Sequence, residues 1–103
     1  MSKGSWDLYW LIKDFCNINA LKFETEYRFH VERKWRADFA IPEMMVLIEY
    51  QGGVFMNKSG HSNIKGQTRD QEKMNQAQIL GWKVLQYSAK NYTQLTEDLK
   101  KLL

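Results

Sequence analysis

The segment Lys34-Trp35-Arg36-Ala37-Asp38-Phe39-Ala40-Ile41-Pro42-Glu43-Met44-Met45-Val46-Leu47-Ile48-Glu49-Tyr50-Gln51 decides the fold. In its first half Trp35, Ala37, Phe39 and Ile41 alternate with Arg36, Asp38 and Ala40, which is the period of a strand; Val46 to Gln51 is a second β-prone run. Pro42 has no N–H to give to a ladder, so the turn falls there. A hairpin turning symmetrically about the Glu43–Met44 bond sets Asp38 directly opposite Glu49. Side chains so placed have Cβ atoms about 4.5–5.5 Å apart. Arg36, Ala40, Leu47 and Gln51 then share the face of the two acids, while Trp35, Phe39, Ile41, Val46, Ile48 and Tyr50 form a core face. The pairing depends on the turn, because a slip of one residue sends one acid to the other side.

Upstream, the pattern predicts a helix over Ser5–Ile18. Ser5 caps it, Asp7 suits the positive end of its dipole, and Leu8, Leu11, Ile12 and Phe15 recur at helical spacing. Phe23 to His30 interleaves aromatic and charged residues and reads as a strand. Downstream, Gly52-Gly53 breaks the second hairpin strand, and the stretch to about Gln67, rich in Asn, Ser, Gly and Lys, reads as a loop. Thr68-Arg69-Asp70-Gln71 has the capping-box pattern and opens a helix to about Leu80, which Gly81 ends. Trp82–Tyr87 is a fourth short strand. A last helix over Lys90–Leu103 puts Tyr92, Leu95, Leu99 and Leu102 on one face. The order α-β-β-β-α-β-α describes an α/β fold: a mixed four-stranded sheet flanked by helices.

At 103 residues and 44% hydrophobic content, the chain has room for one domain with a single core. The formal charge of +3 is compatible with a phosphate-rich partner without requiring one. The distribution is more informative. Arg28, Arg33, Lys34 and Arg36 form one basic group, and Lys58, Lys65, Arg69 and Lys73 a second; such groups are solvated faces more often than binding grooves. Cys16 is the only cysteine, which excludes an internal disulfide and favours a reducing compartment. With no apolar run long enough to cross a membrane, the chain reads as soluble and cytosolic.

Two facing carboxylates repel one another, so a fold that keeps them needs a shared proton, neighbouring bases or a divalent cation. A hard ion such as Mg²⁺ is often held by one or two carboxylates, with water and phosphate completing its shell. The alternative is plain surface pairing of the acids with Arg36 and other basic side chains. Spacing alone does not choose between them.

Asp38, ten residues, then Glu49-Tyr50-Gln51 resembles the PD-(D/E)XK nuclease superfamily. The likeness extends over about residues 23 to 87, through Glu26-Tyr27-Arg28-Phe29-His30, Arg33 to Phe39, Ile48 to Gly53, His61, Asp70 to Ala77 and Gly81 to Leu85. These blocks resemble small phage and bacterial endonucleases, including VRR-NUC-like domains and relatives of Holliday junction resolvases.

The resemblance implies a restriction-endonuclease-like core and Mg²⁺- or Mn²⁺-dependent hydrolysis of DNA, with RNA not excluded, in a bacterial or phage-infected cytosol. It implies Asp38, Glu49 and the Tyr50 carbonyl as metal ligands, with Glu26 as an additional acid. Gln51 departs from the family's lysine: it can position a water but supplies no charge. Lys73, on the following helix, is the natural replacement. His61 would contact the scissile phosphate or act as an acid, and Arg28, Arg33, Lys34, Arg36, Lys58, Lys65 and Arg69 would grip phosphates. With no recognition domain visible, structure-selective or nonspecific cutting is expected, and paired cuts in branched DNA favour a homodimer. A non-catalytic nucleic-acid-binding module on the same fold is the alternative, with Gln51 marking lost activity.

Overall fold

The computed structural model describes residues 1–51 and 64–103. Its elements are α1 (Lys3–Ile18), β1 (Glu24–Arg28), β2 (Arg36–Ile41), β3 (Val46–Tyr50), α2 (Ile64–Ile79), β4 (Lys83–Tyr87) and α3 (Leu95–Lys101). The strands form one mixed sheet in the order β1-β2-β3-β4. β1, β2 and β3 run antiparallel in succession, whereas β4 returns parallel to β3 through the α2 crossover. The α/β class and the element order are those expected from the sequence.

The hairpin register is also the one predicted. Phe39 pairs with Ile48, Ala40 with Leu47 and Ile41 with Val46. Pro42–Met44 form a single tight turn, and Met45 closes it in the left-handed region at φ 56°, its N–H donating to the Pro42 carbonyl at 3.0 Å. The Met45 carbonyl then accepts the Lys83 N–H at 2.8 Å, so the turn also seats the start of β4.

Each face of the sheet carries its own core. Phe39, Ile41, Val46 and Ile48 meet Leu8, Ile12, Phe15 and Cys16 of α1, and Leu95 and Leu99 of α3. On the other face Ala40 and Leu47 meet Ala77 of α2 and Trp82. The small side chain of Ala77 lets α2 lie close to the sheet. That closeness brings its polar residues to the end of β3.

Four local expectations are corrected. Ser2, not Ser5, caps α1: its Oγ accepts the Ser5 N–H at 3.2 Å, because Ser2 is still extended while Lys3 is already helical. Helix α2 begins at Ile64, so Thr68–Gln71 lies inside it and its capping-box pattern is not used as a start. The last helix starts at Leu95, after a tight turn over Tyr92–Gln94, rather than at Lys90. Trp35 joins Phe29 and Ala77's side of the sheet instead of the Phe39 face. Ala37, two residues on and within β2, packs on that same side while Phe39 packs on the other, so the alternation breaks between Ala37 and Phe39, and the Arg33 guanidinium stacks on the Trp35 ring at 4.1 Å.

Candidate active site

Asp38 and Glu49 are brought together, and each is held by the other's strand. The Asp38 N–H donates to Glu49 Oε2 at 2.9 Å, and the Tyr50 N–H donates to Asp38 Oδ2 at 2.8 Å. This reciprocal pair fixes both carboxylates against main chain rather than against flexible side chains. Charged acceptors make such bonds stronger than neutral ones. Lys73, reaching in from α2, donates to the remaining Glu49 oxygen, Oε1. Among the described residues no donor meets Asp38 Oδ1.

Glu49 is 7% exposed and is the only charged side chain in the buried set of described residues. Burial pushes its carboxyl above the usual carboxylate range. The Lys73 ammonium and the Asp38 amide oppose that push, and the neighbouring Asp38 charge adds to it.

These groups sit on the wall of an open cleft of about 920 Å³. Asp38, Glu49, Tyr50 and Gln51 line it from the hairpin, Gln86 from β4, and Asp70, Lys73, Met74 and three carboxamide residues from α2. The Gln51 amide donates to Gln86 Oε1 at 3.3 Å. The helix end opposite is fixed by Gly81 at φ 97°. The Trp82 N–H reaches the Ala77 carbonyl and the Gly81 N–H the Gln78 carbonyl, both at 3.0 Å, a Schellman cap.

Beneath the site, Tyr50 leans on α1. A Cβ at Gly4 would lie 1.9 Å from the Tyr50 hydroxyl oxygen, so only glycine leaves room for that ring. Nothing in the sequence signalled Gly4, which is far from the hairpin in the chain. The contact could be found only once the fold was known.

Other expected site residues lie elsewhere. Glu26 is exposed and does not line the cleft, although its neighbours Thr25 and Tyr27 pair with Phe39 and Ala37. Its backbone is left-handed, at φ 50°, which takes its side chain out of the strand's alternation. Arg33 ion-pairs with Glu72 at 2.6 Å while stacked on Trp35. Arg36 is exposed and faces Arg28 across the strands rather than pairing with the acids. Arg28, whose Nε donates to the Arg33 carbonyl at 3.3 Å, Lys34, Arg36 and Arg69 are all exposed. Lys58 and His61 lie outside the described residues, as do Gly52, Gly53 and the Lys65 side chain.

Two carboxylates, and among the described residues no cluster of three or more His, Cys, Asp or Glu, make up the candidate metal set. An ion with a mostly aqueous shell, such as Mg²⁺, is commonly held by so few protein ligands. The donor chemistry therefore fits: among the described residues no donor meets Asp38 Oδ1, and Glu49 Oε1 accepts from the Lys73 side chain alone. No helix among the described residues is long and apolar enough to cross a membrane. No family model matches the chain, and neither a curated protein nor a solved structure does.

Proposed function

We propose that the chain is a metal-dependent endonuclease with a restriction-endonuclease-like core, cutting DNA at the cleft between the hairpin and α2. The observation that carries this reading is the facing acid pair, cross-held by main-chain amides and opening onto a polar cleft. Asp38 Oδ1, Glu49 Oε1 and the Tyr50 carbonyl would hold Mg²⁺ or Mn²⁺. Such an ion, when bound, polarises a phosphoryl oxygen and makes its water a stronger acid.

The protein's own groups have separate tasks. The Asp38 and Tyr50 amides keep both carboxylates aimed into the cleft. Lys73, which lines the cleft and holds Glu49 Oε1, would give that oxygen up to the ion and stabilise the charge developing on the phosphate. Gln51 positions a water through its amide. Arg28, Lys34, Arg36 and Arg69 are exposed cations for backbone phosphates, and Arg33 leaves that set because Glu72 neutralises it.

The test is incubation with supercoiled, linear, single-stranded and four-way-junction DNA, and with RNA, in Mg²⁺, Mn²⁺ or EDTA. Cutting that requires the metal and is lost in Asp38→Ala is expected. Cutting that survives EDTA or that substitution would refute the mechanism. The ion pair that occupies Glu49, together with Gln51 in the lysine position, favours a second reading, a nucleic-acid-binding module without catalysis. It predicts salt-dependent DNA binding and no cutting under any of these conditions.

A further inference from the structure

Among the described residues the walls of the cleft are poor in free cations. Their charged lining is Asp38, Glu49 and Asp70 against Lys73, and Lys73 is already committed to Glu49. What they have instead is carboxamides: Gln51, Gln67, Gln71, Asn75 and Gln86. Three of these, Gln67, Gln71 and Asn75, stand four residues apart on α2 and so form one stripe along the helix. All three are exposed. Gln51 and Gln86 hydrogen-bond to each other, whereas no side-chain bond joins the stripe to any other described residue.

A carboxamide carries a donor and an acceptor side by side. Phosphate, which offers acceptors only, uses just the donor half of that arrangement. The full arrangement matches base edges, and Asn or Gln pairs bidentately with adenine N6 and N7. At 1.5 Å per residue the stripe runs about 12 Å, the span of roughly three base steps along a strand. It borders the same cleft as the acid pair.

We infer that Gln67, Gln71 and Asn75 are a base-reading edge, so that the nucleic acid in this cleft is selected by sequence beside the reactive phosphate. This inference rests on the nucleic-acid reading of the cleft, and it departs from the nonspecific or purely structure-selective behaviour expected of a chain without a recognition domain. The partner is the edge of an accessible nucleobase; phosphates are left to the exposed arginines and lysines. An α-helix fits the major groove, which displays the distinguishing donor and acceptor pattern.

The experiment selects bound molecules from a duplex library with a randomised centre, in EDTA so that nothing is cut, and sequences them. The wild-type chain should enrich one base by about tenfold or more at one or more positions. The double substitution Gln71→Ala with Asn75→Ala should flatten that preference while total affinity falls less. Gln78→Ala, on α2 but away from the cleft, should leave it intact. A flat wild-type pool, or a preference unchanged in the double variant, would overturn the inference. A parallel Mg²⁺ cutting assay keeps the two questions separate: loss of cutting bears on the nuclease reading, and the bound pool alone decides base reading.

Discussion

At Gly4 a single missing methyl group lets the Tyr50 ring rest against the start of α1. Ala is the better helix former by about 1 kcal/mol, so helix propensity alone favours Gly4→Ala. Crowding against a ring decides otherwise, because overpacking costs about 1–3 kcal/mol. Gly4→Ala should therefore destabilise the chain in urea titration, and the loss should disappear in a Tyr50→Ala background. Equal losses in both backgrounds would mean that the contact is not the cause. The same ring precedes the peptide chemistry that matters: the Tyr50 N–H holds Asp38. In Gly4→Ala that amide should exchange with solvent faster than the Ile48 amide. Lys73→Met raises a different issue. It leaves Glu49 buried with only the Asp38 amide, and an abandoned buried acceptor costs about 1–3 kcal/mol. Urea unfolding of Lys73→Met should reveal a loss of that size, reduced when Glu49→Gln is added.

The hairpin was the most readable element because three independent features agreed. Alternation in Arg36–Ile41, the β-prone run Val46–Tyr50 and the missing N–H of Pro42 all required the same turn, and register followed from turn geometry. The acid pair was readable for the same reason. Helix starts were less so. Thr68–Gln71 offers a cap, yet α2 begins upstream at Ile64, since a capping pattern has no effect once its N–H groups are already inside a helix. Glu26 escaped because a left-handed residue within a strand breaks the rule of alternating faces, and sequence gives no sign of that backbone. Arg33 escaped because its partner Glu72 lies on an element remote in the chain. Gly81, by contrast, was legible as a helix stop, and its role is purely conformational: the nearest atom to an added Cβ, Met45 Cε, is 3.7 Å away. Gly81→Ala should thus cost more than about 1 kcal/mol through backbone strain alone. A loss much smaller than this in thermal or urea unfolding would argue that the helix end relaxes freely.

Across the whole molecule, the sheet separates an apolar layer of α1 and α3 from the side on which α2 meets the cleft. Tyr87, at the end of β4, ties the sheet to α3 by donating to Asp98 at 2.7 Å. Burial, and then the Asp98 carboxylate, push its phenol above the usual value of 10.0. Burial likewise pushes the Cys16 thiol up to about 11, with the Glu43 charge adding to it. Both groups are acids whose folded-state values are raised. Their contribution to stability is thus complete below the unfolded-state values of 9.0 and 10.0 and fades as pH rises past them. Tyr87→Phe should be destabilising at neutral pH and progressively less so, relative to wild type, above pH 10. The Cys16 thiol should resist alkylation in the folded chain at neutral pH and react once the chain is unfolded in urea.

The central claim is that acids from two adjoining strands share one cation, and titration of Mn²⁺ into the folded protein by calorimetry tests it without reference to any substrate. Wild type should bind the ion, and Asp38→Asn should weaken that binding at least about tenfold, as should Glu49→Gln, each with the fold intact by circular dichroism. Absence of Mn²⁺ binding, or binding that both substitutions leave untouched, would contradict the account.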